Sequence, residues 1–337
     1  MKFLRFLLFP FAIIYNVVTS IRNLFFEIGI FKQTSFKIPV IVVGNLSVGG
    51  TGKTPQIEYL IRLLKDHFKT AVLSRGYKRK TEGFVLLNDT HSAEDVGDEP
   101  LQYFKKFKNI DVAVDANRVA GISKLIEENL PEVILLDDAY QHRKVKGSFY
   151  VLLTKFDDLF TEDFLLPRGN LRESRRGAKR ADIILVTKCP VNLSKTVKNK
   201  IEVKLKKYHK KVFFTAISYD DKTSGKATVL IDDLKNYEVL LITGIANPNP
   251  LLSFLHDKEV VFKHLKFADH HHFTDKEIET IKEEYVNLKS SKKLMLTTEK
   301  DFVRLESRLE NISFLGIQTS FLEEQEAFNA IIKKHIK

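Results

Sequence analysis

The run Gly44-Asn45-Leu46-Ser47-Val48-Gly49-Gly50-Thr51-Gly52-Lys53-Thr54-Pro55 holds four of the chain's fifteen glycines, one lysine and several hydroxyls. It follows an apolar run at 39–43 and precedes a helical pattern. Small residues in that context let backbone N–H groups converge on phosphate oxygens, and the next helix adds its positive end. The cradle is read as Ser47, Val48, Gly49, Gly50, Thr51, Gly52, Lys53 and Thr54. Lys53 would reach the β- and γ-phosphates of a nucleotide, and the Thr54 hydroxyl would hold Mg²⁺. The spacing G-x-x-x-x-G-K-[ST] asks for glycine where Ser47 stands, so the pattern departs at one position. An ordinary glycine-rich turn is the competing reading, and the strand before and helix after argue against it. A second signal is Val133-Ile134-Leu135-Leu136-Asp137-Asp138, an apolar strand ending in two carboxylates. Alone, such a pair could cap a helix or stay solvated; downstream of a phosphate loop, Asp137 and Asp138 read as a Mg²⁺ site.

These groups need a scaffold, and composition limits what it can be. The chain has 337 residues, 44% of them apolar, which suits two domains with ordinary cores. A single cysteine, Cys189, excludes an internal disulfide and a cysteine-based zinc cluster and fits a reducing compartment. The 54 basic against 43 acidic residues leave +11, which implies an anionic partner without naming it. Residues 6–21 carry no charge, Lys2 and Arg5 precede them, Arg22 follows, and Glu27 is the only acid among the first forty residues. Sixteen uncharged residues that include Pro10, Asn16, Thr19 and Ser20 fall short of the roughly twenty apolar residues of a bilayer span. An interfacial helix on anionic lipid is the preferred reading. A helix packed on its own domain is the alternative; a cleaved signal lacks a small-residue site and would carry a nucleotide-binding core away from ATP.

Apolar runs at 40–43, 71–73, 112–114, 133–136, 149–153 and 183–186 alternate with helical stretches. That rhythm predicts α/β architecture with a parallel sheet whose ligands bind at the carboxyl ends of the strands. The lysine-rich stretch at 195–211 reads as a solvated helix face before a further run at 212–216, polar residues 218–226 read as a linker, and a second lobe starts near 239–243. The expected division is 1–35 for the membrane-interface helix, 36–217 for the nucleotide core, 218–236 for the linker and 237–337 for a second α/β domain.

Further motifs follow in order: Ser74-Arg75-Gly76-Tyr77, Val96-Gly97-Asp98-Glu99-Pro100, Leu136-Asp137-Asp138-Ala139-Tyr140-Gln141-His142 and Leu166-Pro167-Arg168-Gly169-Asn170-Leu171-Arg172-Glu173. Thr243-Gly244-Ile245-Ala246-Asn247-Pro248, Asp269-His270-His271 and Thr298-Glu299-Lys300-Asp301 complete the series. With the phosphate loop and the apolar start, this order resembles the tetraacyldisaccharide 4′-kinases, which phosphorylate a lipid A precursor in Gram-negative bacteria. Ala139-Tyr140 stands where that family usually has Gly-Phe, and Arg168 and Asn170 replace commoner small residues or proline; these departures bear on substrate detail.

The resemblance implies a P-loop NTPase-like parallel core, a smaller second α/β domain and an N-terminal membrane-associated helix. It implies transfer of the γ-phosphoryl of ATP, with Mg²⁺, to the 4′-hydroxyl of a four-chain disaccharide 1-phosphate at the cytoplasmic face of the inner membrane. By the same match Asp98 is the base and His270 its partner from the second lobe, with Asp269 orienting His270. Arg172 falls near the transferring phosphoryl group and Arg118 is a second choice. By residue type alone, residues 97–100 would be a turn and helix start, and three successive histidines point in different directions, which disfavours a metal. Arginines and lysines at 168–180 suit phosphate oxygens, whereas Thr298-Glu299-Lys300-Asp301 reads as a capping turn with no chemical step. Two other function classes compete with this one. Thr187-Lys188-Cys189-Pro190 suggests a guanine-reading loop of a regulatory GTPase but lacks the aspartate such a loop needs, and a nucleotide-gated binder of an anionic ligand would use the +11 charge. No nucleic-acid recognition motif and no sign of an obligate protein partner are present.

Overall fold

The structure, a computed structural model, describes residues 7–336; Lys2, Arg5, Phe6 and Lys337 lie outside the described residues. Helix α1 (Phe9–Glu27) leads to β1 (Val40–Asn45), α2 (Lys53–Leu64), β2 (Thr70–Ser74), β3 (Val85–Leu86), α3 (Ala93–Val96), α4 (Asp98–Lys106) and β4 (Asp111–Val114). Next come α5 (Arg118–Asn129), β5 (Val133–Asp137), β6 (Phe149–Lys155), β7 (Ile183–Thr187), α6 (Lys195–Leu205) and β8 (Lys211–Tyr219). The remainder holds β9 (Ser224–Gly225), β10 (Glu238–Thr243), α7 (Asn249–Asp257), β11 (Val261–Lys266), α8 (Asp275–Val286) and β12 (Lys293–Thr298). It ends with α9 (Glu299–Leu305), β13 (Ile312–Leu315), β14 (Ile317–Phe321) and α10 (Gln325–Ile336).

The first sheet has the order β14-β8-β7-β6-β1-β5-β2-β4-β3, parallel except for the antiparallel edges β14 and β3. Strands β1, β2, β5 and β7 are buried along their whole length, as continuous apolar runs must be when helices cover both faces. β1 lies between β5 and β6, while the chain leaves β1 for β2 on the far side of β5. A crevice forms where the winding reverses, and pairing of Val43 with Asp137 brings the phosphate loop level with the two aspartates. The second sheet, β11-β10-β12-β13-β9, is parallel except for β9. Alternate residues of β10 serve its two faces: Val239 and Leu241 meet Leu255 and Leu296, whereas Leu240 and Ile242 meet Ile281 and Ile312.

The lobe boundaries differ from the expected ones. Residues 218–236 are not a linker: β8 runs to Tyr219, β9 pairs with β13, and Ile231 and Leu234 of a 3₁₀ turn enter the second core. Their polar composition conceals the edge pairing, which depends on a partner strand far along the chain. Residues 317–336 do not stay with the second lobe either. β14 pairs with β8, and Phe328 and Ile332 of α10 join the first core, with the Phe328 ring 5.4 Å from Phe213 and 5.8 Å from Tyr59. The second lobe is therefore an insertion, entered after Tyr219 and left before Ile317, which face each other in the ladder. The Asp220 N–H donates to the Gly316 carbonyl at 3.0 Å beside them.

Helix α1 is 19 residues long, and by length and composition it is the one helix among the described residues that could cross a membrane. It buries only Ala12, Thr19 and Asn23 and exposes Phe11 at 60%, Ile14 at 61% and Val18 at 61%.

Candidate active site

β1 ends at Asn45, whose side-chain amide donates to the Ser47 carbonyl at 2.7 Å and whose oxygen lies 3.5 Å from Lys53 Nζ. Gly52, at φ +80°, turns the chain into α2 in a conformation costly for other residues. Gly44 has another use than the phosphate cradle. A side chain there would start 2.7 Å from Tyr140 Cβ, so glycine lets the loop after Asp138 pack on β1. Val48 N–H donates to the Asn170 carbonyl at 2.8 Å, and Ser47 bridges Leu171, so the open part of the cradle begins at Gly49 rather than Ser47. Thr187 Oγ donates to the Thr51 carbonyl at 2.8 Å and pins the loop from below. Lys188 Nζ lies 3.8 Å from where a Gly50 side chain would begin, which sets the segment at 187–190 against the phosphate loop.

Arg172 forks onto Asp138 at 2.9 and 3.3 Å and also donates to the Asn45 side chain, while Lys53 lies 3.7 Å from Asp138. Burial raises the Asp138 carboxyl pKa, yet Lys53 and Arg172 hold it below the usual carboxylate range. Asp137 behaves oppositely. Burial and the charge of Asp138 push it up to about 7. Tyr103 OH donates to one oxygen at 3.3 Å, and the other, Oδ1, is buried with no hydrogen-bond partner. An orphaned carboxylate oxygen beside a second carboxylate and the start of α2 fits Mg²⁺, which takes one or two carboxylates plus phosphate oxygens. Arg118 donates to the Asp115 carbonyl at 2.9 Å; burial lowers it to about 10 against the pull of Asp137. Of the other basic residues at 168–180, Arg175 donates to the Asp163 carbonyl and Arg180 forks onto Glu173 at 2.7 and 2.9 Å, so both brace the segment.

Asp98 opens α4, almost fully buried. Its Oδ2 lies 2.8 Å from His270 Nδ1, so the expected pair does meet across the lobes. Because Asp98 can only accept, Nδ1 carries the proton, and Nε2 faces Lys300 Nζ at 3.1 Å. Asp269 does not orient His270 directly; it pairs with Lys300 at 3.2 Å. Arg304 Nε and Nη2 grip Asp98 at 2.5 and 2.9 Å. Burial raises the Asp98 pKa, but the hydrogen bonds from His270 and Arg304 leave it below the usual range. His271 turns instead to Glu277 at 3.0 Å and His272 to Glu94 at 3.7 Å, and no group of three or more metal-binding side chains occurs among the described residues.

Sequence reasoning missed Lys300 and Arg304, four residues apart on α9 and so on one helix face, a spacing that could have flagged them. Thr298 does cap α9, accepting from Asp301 N at 3.2 Å, but the same helix also supplies these cations. Its Glu299 shares Lys106 with Glu58 of α2, at 2.7 and 2.8 Å. A cleft of about 540 Å³, lined by Arg75, Tyr77, Lys78, Arg79 and Ala116, opens beside the pair, with the Tyr77 ring 5.7 Å from that of His270.

Comparison with known proteins gives a consistent result. A family profile described as LpxK, tetraacyldisaccharide-1-P 4′-kinase, matches residues 4–337. The chain is 52% identical over 342 residues to the tetraacyldisaccharide 4′-kinase of Flavobacterium johnsoniae, covering 100% of this chain and 98% of that one. The figure is 53% over 344 residues for the protein of the same name from Flavobacterium psychrophilum, with the same coverage. Among solved structures, LpxK from Aquifex aeolicus in complex with ATP matches with a TM-score of 0.80 at 29% identity, over 99% of this chain and 100% of that one.

Proposed function

The chain belongs to the tetraacyldisaccharide 4′-kinase family, and from that premise we propose how its own residues carry the reaction. It is a kinase that transfers phosphate from ATP, with Mg²⁺, to the 4′-position of a tetraacyldisaccharide 1-phosphate lipid A precursor. The observation that carries the assignment of roles is that Lys53 and Arg172 meet on Asp138, while α4, which Asp98 opens beside His270, sends Tyr103 to the neighbouring Asp137.

Gly49 to Thr54 would wrap the triphosphate, Lys53 and Arg172 would face the γ-phosphate, and Thr54 with Asp137 and Asp138 would hold the metal. The metal held there would supply positive charge against the transferring phosphoryl group. Asp98, kept ionised by its partners, accepts the hydrogen bond of the 4′-hydroxyl and takes its proton as the sugar oxygen bonds to the γ-phosphorus and the bond from that phosphorus to the β-phosphate oxygen breaks, releasing ADP. A loose transition state asks little basicity of that group, so its lowered pKa is compatible with the role. His270 donates to Asp98 and fixes which oxygen faces the sugar. The cationic and aromatic cleft beside Tyr77 receives the disaccharide head.

Helix α1 supports a membrane-interface arrangement rather than a crossing. Tyr15 OH donates to the Arg172 carbonyl at 2.8 Å, and Asn23 donates to Glu173 at 2.8 Å. These anchors are about two turns apart and both reach the same short segment, so the helix lies along the body with its other face outward. That face enters the lipid at the cytoplasmic side of the inner membrane, and no nucleic acid or obligate protein partner is needed. The test is incubation with labelled ATP, Mg²⁺ and the detergent-dispersed disaccharide 1-phosphate. A bisphosphorylated lipid is expected, and its absence, or equal use of GTP, would overturn the reading.

A further inference from the structure

We propose that Arg304 is the positioning residue of the Asp98–His270 unit, gripping both members from the second lobe; this rests on the catalytic reading of that pair. The guanidinium uses its whole fork. Nε and Nη2 reach the two oxygens of Asp98 at 2.5 and 2.9 Å, while Nη1 donates to the carbonyls of His270 and His271 at 2.9 and 2.8 Å. One planar group thereby sets the plane of the carboxylate and the backbone that carries the imidazole. That backbone needs holding, since His270 sits at φ +58°, where a residue with a side chain is strained. Lysine offers a single point charge and could not satisfy four acceptors in two directions.

The surroundings give Arg304 a second effect. Asp98 faces His270 from the loop after β11, Lys300, Asp301 and Arg304 from α9, and its neighbour Glu99 on α4. The fork is its closest cationic contact and keeps it ionised in a buried site. Lys300, the other cation, is held by Asp269 and lies against His270 Nε2. Arg304 thus makes lobe contact and catalytic competence one event, because its helix also carries Glu299, which reaches Lys106 on α4 and, through it, Glu58 on α2.

The experiment compares R304M, R304K, D98N and the R304M/D98N double variant for kcat, KM for ATP, melting temperature and the pH profile of kcat. R304M should lose about 10²-fold in kcat, the scale of a mispositioned reacting group, with KM for ATP unchanged. Its acid limb should move to higher pH, since Asp98 loses a cation that favours its charged form. R304K, which keeps charge and bulk, should fold normally, lose about tenfold, the equivalent of one charged hydrogen bond, and keep its acid limb closer to the parent's. Adding R304M to D98N should cost nothing further. An unmoved acid limb in R304M, full turnover in R304K, or losses that multiply in the double variant would overturn the inference. Near-normal turnover in D98N would instead sink the catalytic reading beneath it. Should R304M fail to melt cooperatively, R304K decides.

Discussion

Asp98 and His270 are 172 residues apart in the chain and 2.8 Å apart in the fold, one on each lobe. Neither lobe alone contains the pair, so under the proposed roles sugar activation would require both to be docked. Asp98→Ala and His270→Ala should each lower kcat by a factor on the order of 10², and the double variant should be little worse than either, because the pair acts as a unit. Steady-state kinetics at saturating Mg-ATP check this; a double loss equal to the product of the single losses would separate the residues.

Lys53→Ala should cost roughly 10²–10³ in kcat, as loss of one fixed positive group at developing charge does, with the fold intact. Asp137→Asn and Asp138→Asn should differ. Asp137 presents the orphaned oxygen, so its variant should need more Mg²⁺ for half-maximal rate. Asp138 also restrains Lys53 and Arg172, so its variant should lose kcat even at saturating Mg²⁺. Identical Mg²⁺ titrations for parent and both variants would exclude the pair as the metal site.

Glu299 shares Lys106 with Glu58, and Asp220 adds a further negative charge nearby. Burial and Glu58 raise it from 4.5 to about 7. The fold therefore favours its protonated form. That contribution to stability is complete below the unfolded value and is lost as pH rises through the folded one. Glu299→Gln cannot lose it. The melting temperature of the variant minus that of the parent should climb between pH 4.5 and about 7 and then level; a difference that stays flat across this window would rule out the raised value.

Phe11, Ile14 and Val18 form one exposed helical stripe. Replacing all three by serine removes side chains each worth about 1.5–3 kcal/mol on burial. Co-sedimentation with anionic vesicles should fall at least about tenfold, while KM for ATP stays as it was. Unchanged sedimentation would mean that α1 is not the principal membrane contact.

The sheet was legible because its strands are local, uninterrupted apolar runs: 40–43, 133–136 and 183–186 each became a buried strand. The phosphate loop and the Asp137–Asp138 pair were legible for the same reason, each being a short contiguous motif. What escaped depends on distance. Arg304 is marked locally only by its four-residue spacing from Lys300, and its partner Asp98 lies 206 residues away. Pairing of β14 with β8 likewise spans the inserted lobe and leaves no periodic trace at either end. Gly44 looked like part of a phosphate cradle because the reason for it, Tyr140, is brought close only by the register of β1 with β5.

Because the chain enters and leaves the second lobe through adjacent, hydrogen-bonded points at Asp220 and Gly316, the joint is a ribbon two strands wide. A ribbon flexes across its flat face and resists shear within its plane. Such a joint would confine any movement of the inserted lobe to a single arc, like a door on one pin, and would return His270 to Asp98 by one route. β8 and β14 pair across that joint, so a short turn from Tyr219 to Ile317 would excise the inserted lobe while keeping the first sheet's edge, and would remove Val303 from the first core.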